Sequence, residues 1–262
     1  MRTIKTSVML AIASVILIGL TGAKPFEVQF KLVKVENECL VKAAGDSSFK
    51  PAVEGAAYPY GTMLKTGRKS SAVISFSDGN ECRILARTVL TVNEDTKDRK
   101  MKTLKLAQGK AEVSLQPDFH KNNALQVETP TAICGAVECI FSVEVLEEEG
   151  LIKAFFESIK GIIRVDDAAF NVPVIGAGAR LMVSVNSDMS EITVKVLAGE
   201  LTINVKSGND LAKEFKLPKE SLIKITRTPI DKDTELVKVT VTTPDGKSTT
   251  FEFKQPRTVR GS

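Results

Sequence analysis

Apolar and polar residues alternate along most of this chain, and the alternation is clearest between Tyr60 and Val92. Ala72, Ile74 and Phe76 share one face of an extended segment. Ser71, Ser75 and Ser77 share the other, where Val73 is the one apolar exception. That period of two predicts a half-buried strand. Asp78-Gly79-Asn80 supplies residues that tolerate positive φ, so the chain turns directly into a second extended run, Glu81 to Leu85. Just upstream, Leu64-Lys65-Thr66-Gly67 reads as a turn.

The same pattern predicts strands over Phe26–Val35, Glu38–Lys42, Leu90–Val92, Leu104–Leu106, Ala111–Leu115, Leu125–Glu128 and Cys139–Val145. It continues over Ala154–Ile159, Ile162–Val165, Arg180–Val185, Glu191–Val196, Glu200–Val205, Ser221–Thr226, Leu236–Val241 and Thr249–Phe253. Gly, Asp, Asn or Pro separate most neighbours, and Thr243-Pro244-Asp245-Gly246-Lys247 is a proline-primed turn. Short strands at this spacing predict an all-β sandwich, roll or solenoid. Glu147–Lys160 and Asp210–Phe215 are the only helix-like windows, and both are short or rich in β-branched residues. Leu104–Leu115, Phe155–Val165 and Val194–Val205 echo one another as strand, glycine turn, strand, around Gly109, Gly161 and Gly199. The spacing of these glycines is unequal, so they define no fixed-period array.

The N-terminus departs from the β pattern. Arg2 and Lys5 precede the apolar run Val8–Leu20 and the small residues Thr21-Gly22-Ala23. This is the layout of a secretory signal peptide over residues 1–23; the run falls short of the ~20 apolar residues of a spanning helix. The expected location is periplasmic or extracellular. If the segment is not cleaved, it is the one contact with the membrane. Removing it takes away Arg2 and Lys5 and lowers the net charge from +4 to +2. Such a balance gives no basis for nucleic-acid binding, since Lys65-Arg68-Lys69 and Lys97-Arg99-Lys100-Lys102 read as solvated clusters. Trp is absent and aromatics make up 5% of the chain, so the core must come from Val, Ile, Leu and twelve Phe.

Cys39, Cys82, Cys134 and Cys139 all follow the leader. An even count in an exported chain favours disulfides, with Cys39–Cys82 or Cys82–Cys139 as the expected links. The sequence has no C-x-x-C pair and a single histidine, His120, which argues against a zinc site or any other metal or cofactor. No Ser or Cys is fixed beside His120 for a nucleophile relay. The run Glu147-Glu148-Glu149 reads as a solvated turn rather than a carboxylate pair for glycoside chemistry. Gly176-Ala177-Gly178-Ala179 leads into a strand, not into the helix N-terminus a phosphate loop needs. Asp78-Gly79-Asn80-Glu81 has oxygen donors but not the spacing of a calcium loop. The sequence therefore predicts a protein that is not an enzyme.

The run Gly61-x-x-Leu64-x-Thr66-Gly67-x-x-Ser70-x-Ala72-x-Ile74-x-Phe76-x-Asp78-Gly79 resembles the core signature of FecR-type periplasmic domains. Two further blocks agree in order. The first is Leu104-x-Leu106-x-x-Gly109-x-Ala111-x-Val113; the second is Val127-x-Thr129-Pro130-Thr131-Ala132, leading to Phe141-x-Val143. Where the family has Arg-Gly-Thr before the aromatic strand residue, this chain has Val137-Glu138-Cys139. The resemblance implies a FecR-like β-roll or solenoid-like sandwich over residues 24–145, with residues 146–262 a second β domain or a continuation of the first. It implies structural roles for Gly61, Leu64, Thr66, Gly67, Ser70, Ala72, Ile74, Phe76, Asp78, Gly79, Gly109, Thr129, Pro130 and Phe141. Familiar members relay a signal from an outer-membrane transporter to a cytoplasmic sigma factor. Seven residues precede the apolar run here, too few to form a sigma-binding region. The expected function is that of an exported, non-enzymatic module that binds an envelope protein or glycan. The alternatives are a sensor subunit acting through another membrane protein and a structural component that self-associates through strand edges.

Overall fold

The computed structural model describes residues 30–94, 101–116, 124–167, 170–188, 190–205 and 213–256. Residues 1–23, where the sequence predicts a signal peptide, His120 and the cluster Lys97-Arg99-Lys100 lie outside them. Among the described residues the protein is all β, with no helix.

Twenty strands form one hydrogen-bonded network. They are β1 Phe30–Glu36, β2 Cys39–Lys42, β3 Lys50–Pro51, β4 Ala57–Tyr58, β5 Thr62–Thr66, β6 Ser71–Phe76, β7 Glu81–Ile84, β8 Val89–Glu94, β9 Met101–Ser114 and β10 Ala124–Glu128. They continue as β11 Ile133–Glu148, β12 Leu151–Asp167, β13 Phe170–Ile175, β14 Arg180–Val185, β15 Glu191–Ala198, β16 Glu200–Val205, β17 Lys213–Pro218, β18 Leu222–Pro229, β19 Thr234–Thr242 and β20 Ser248–Pro256.

The pairings resolve into two layers. Layer one runs β4, β1, β6, β7, the second half of β9, the second half of β11, the first half of β12, β14, β15, β18, β19, β20. Layer two runs β3, β2, β5, β8, the first half of β9, β10, the first half of β11, the second half of β12, β13, β16, β17. The chain passes repeatedly from one layer to the other, which makes the fold a roll. β11 runs through residues 145 and 146 and pairs with β12 along both halves, so both layers are continuous across that point.

Alternation dictates what lies between the layers. In layer one the cross-strand row Leu32, Ile74, Cys82, Val113, Phe141 is buried throughout. In layer two the rows Val41, Leu64, Leu90, Leu106 and Val92, Leu104, Val127, Cys134, Val165 are buried as well. These rows belong to a single hydrophobic cluster. Near one end the layers touch directly, where Phe215 of β17 meets Phe251 of β20 edge-on with ring centroids 5.6 Å apart.

Two sequence expectations change. The segments around Gly109 and Gly161 are not pairs of strands joined by turns. Each glycine bends one uninterrupted strand, at φ 86° and 85°, so that its two halves join different layers. Only Gly199, at φ 68°, separates two strands, β15 and β16. Both helix-like windows lie largely in strands: Leu151–Lys160 in β12, and the described part of the other, from Lys213, in β17. Their β-branched and aromatic residues favour the pleated conformation once neighbouring strands supply partners.

Candidate interaction surface

The crossings between layers line up as a row of corners. At four of them, around Glu38, Gly67, Thr88 and Lys110, hydrogen bonds run from one corner to the next. Gly67 N–H donates to Glu38 O at 3.0 Å, and Arg87 N–H donates to Gly67 O at 3.0 Å. Thr66 Oγ1 accepts from Thr88 N–H at 2.9 Å, and Thr88 Oγ1 accepts from Lys110 N–H at 3.0 Å. Ser70 Oγ accepts from Glu38 N–H at 3.1 Å. Threonine and serine hydroxyls thus take up backbone groups that the strand ladders leave open at each bend. At Gly109 a Cβ would lie 2.5 Å from Thr88 Cα, so the approach of two corners requires glycine as much as φ does.

The residues of the FecR-like signature fall into three places. Leu64, Ala72, Ile74, Phe76 and Phe141 are core. Thr66, Gly67, Ser70 and Gly109 make corners. Gly61, Asp78, Gly79, Thr129 and Pro130 belong to turns at the strand ends. Gly61 and Gly79 have φ near 85° and 81°, and Asp78 Oδ1 accepts from Asn80 N–H at 3.2 Å. Thr129 Oγ1 accepts from Ala132 N–H at 3.0 Å across Pro130. The structure does not gather these residues around a common point.

The cysteines depart from expectation. Cys39 and Cys82 are buried thiols. Cys39 lies in layer two and Cys82 in layer one, and packed layers stand about 10 Å apart. Cys82 and Cys139 sit on strands that flank β9 on either side, two strand spacings or roughly 9–10 Å apart. A disulfide needs Cα atoms within ~7 Å, so neither expected link fits. Burial pushes the Cys39 thiol up to about 11. Burial, with Glu112 nearby, pushes Cys82 up to about 12. Among the described residues no group of three or more His, Cys, Asp or Glu is arranged to hold a metal.

What the fold presents outward is more informative. Ile140, Ile159 and Ile162 are 37%, 52% and 47% exposed, and all three surround the bend of β11 and β12 at Gly161. The pairing shifts register there, between Val137 and Phe141, and leaves Ile159 unpaired on the outer side, in line with Phe155 and Glu157. Ser158 Oγ donates to Gly161 O at 3.0 Å and fixes the bend. Ile133 lies on the same outer face of layer two, 39% exposed. The stretch that replaces Arg-Gly-Thr, Val137-Glu138-Cys139, lies in this register shift. Sequence reading missed the patch because these isoleucines look like core residues. The signal is a break in parity, where Ser158-Ile159-Lys160-Gly161-Ile162 interrupts the alternation.

Elsewhere the outer faces carry paired charges. Examples are Lys105–Glu128 at 3.2 Å, Lys224–Glu191 at 2.9 Å and Lys238–Glu252 at 3.3 Å. Among the described residues no helix is long and apolar enough to cross a membrane.

Residues 62–156 match the family model described as FecR protein. This family is regulatory, and its members are typically membrane-associated with a periplasmic domain. Two crystal structures, each described as a "putative anti-sigma factor" from Parabacteroides distasonis, are similar to the chain. One is 14% identical with TM-score 0.40, and the match covers 60% of each chain. The other is 17% identical with TM-score 0.40 and covers 64% of this chain and 69% of that one. This chain therefore spans less than two thirds of the first relative's length. No curated protein matches it.

Proposed function

We propose, from the premise that residues 62–156 constitute a FecR domain, that this chain is an exported, non-enzymatic envelope module that regulates by binding another protein. The contact surface is the isoleucine patch at the β11–β12 bend. Three half-exposed isoleucines on strands held from both sides form a rigid apolar anchor. Covering the exposed part of each is worth about 1 kcal/mol. The observation that carries this reading is the exposure of Ile140, Ile159 and Ile162 around the bend where the β11–β12 register shifts. Apolar side chains clustered on a rigid scaffold are characteristic of interface cores rather than of free surface. The periplasmic domain of a membrane-bound signalling protein is the partner that suits a FecR domain.

A photo-crosslinking amino acid placed at Ile159 in living cells tests this. The expected result is an adduct with one envelope protein, abolished by Ile162→Glu in the same chain while the melting temperature is unchanged. Adducts with peptidoglycan alone, or none at all, overturn it.

A further inference from the structure

The two ends of the roll are finished differently. At the N-terminal end the two-residue strands β3 and β4 close both layers, and the segment between them takes up the edge groups of β1 and β2. Leu32 N–H donates to Ala56 O at 2.9 Å, Gly55 N–H to Leu32 O at 2.7 Å, and Ala52 N–H to Cys39 O at 2.8 Å. At the other end the last strand of layer one, β20, pairs with β19 on one side and, among the described residues, with nothing on the other. It is nine residues long. We propose that this edge is the surface through which two copies of the chain join, β20 against β20 in antiparallel register, as a closed two-fold dimer.

The register follows from the turn. Thr243 N–H donates to Lys247 O at 2.9 Å, which makes these two a hydrogen-bonded pair. Hydrogen-bonded and non-bonded pairs alternate along an antiparallel ladder. Thr249, Phe251 and Phe253 therefore turn their backbone groups toward β19, whereas Thr250, Glu252 and Lys254 turn theirs to the open edge. A symmetric pairing can set Glu252 opposite itself, Thr250, Lys254 or Pro256, and only Lys254 brings an opposite charge to it. Glu252 against itself opposes like charges, whereas Glu252 against Lys254 opposes unlike charges twice, once on each side of the axis, with Phe253 facing its own copy. Lys238 already pairs with Glu252 at 3.3 Å on the same outer face, so the contact extends an existing row of alternating charge. On the inner face Phe251 and Phe253 are only partly buried, and the second copy completes their cover. Two-fold pairing uses the β20 edge of each copy, and among the described residues the opposite end presents only the two-residue strands β3 and β4, so β20 pairing stops at two.

Sedimentation velocity on the purified full chain tests the proposal. The expected result is a concentration-dependent dimer with no larger species. Lys254→Glu opposes Glu252 with a like charge and raises the dissociation constant ~10-fold; Glu252→Lys does the same. Combining both changes restores opposite charges across the axis and returns wild-type association, which separates this pairing from a general loss of folding. A protein that is monomeric at all concentrations, one that forms longer assemblies, or a dimer indifferent to these reversals overturns the proposal.

Discussion

The ammonium of Lys102 in β9 is ion-paired with the carboxylate of Asp78 in the β6–β7 turn, joining layer two to layer one. Their side chains are 6% and 14% exposed, and the Lys102 nitrogen also stands 5.1 Å from the centre of the Phe76 ring. Breaking a buried pair on one side leaves the other charge uncompensated and costs ~3–5 kcal/mol. Lys102→Met should therefore lower unfolding free energy by about 3 kcal/mol in urea titration. Replacing both residues, Lys102→Met with Asp78→Leu, should recover part of that loss, because no buried charge then remains.

Glycine at the corners gives a second expectation. Gly109→Ala would force a φ of 86° on alanine and drive its Cβ to 2.5 Å from Thr88 Cα. Gly199→Ala meets Ala179 Cα at 2.8 Å, also at positive φ. Each should cost roughly 3 kcal/mol or more, read as a fall in the denaturant midpoint. Gly135→Ala has nothing within 4 Å and no positive φ, so it should stay within about 0.5 kcal/mol of the parent.

Much of this architecture is legible in the alternation of side chains, and the exceptions share a cause. Ala72, Ile74 and Phe76 lie inside, as period two requires. Ser71, on the polar side, is buried too, because its hydroxyl donates to Glu36 across the β1–β6 pair at 2.6 Å. Alternation tells which way a side chain points but not which strand lies beside it. Hence Gly109 and Gly161 look like turns, although the hydrogen-bonded strand passes through them and only its partners change. The two-residue strands β3 and β4 are too short to show any period. Of the interaction surface, the Val137-Glu138-Cys139 departure and the broken alternation around Gly161 are visible beforehand, but not that β11 and β12 bring Ile140, Ile159 and Ile162 to one bend.

Thiol reactivity should be governed by burial. With Cys39 near 11 and Cys82 near 12, neither carries appreciable thiolate at pH 8. Both should resist iodoacetamide in the native protein and react fully in 6 M guanidinium, as mass spectrometry of the peptides containing Cys39 and Cys82 would show. Native labelling of Cys82 would contradict the β7–β9 packing.

Stability should decline in acid. Lys34 and the Ser71 hydroxyl hold the Glu36 carboxyl at about 2, below its usual 4.5, and Lys247 and Thr243 hold Asp245 at about 2. Asp188, Glu220 and Asp231 are lowered as well. A carboxyl held lower in the folded chain than in the unfolded one favours folding above pH 4.5 and loses that contribution as pH falls toward 2. Urea midpoints should thus be level above about pH 5 and drop between pH 4.5 and 2, with a shallower drop in Glu36→Gln.

The row of corners also bears on how such a body lengthens. The passages at Glu38, Gly67, Thr88 and Lys110 each bond to the next in the row. A duplicated stretch inserted between two of them would find its hydrogen-bond partners already facing it. Growth along the axis then demands no redesign of the interior, and descendants of one ancestor can differ in span while keeping the same cross-section.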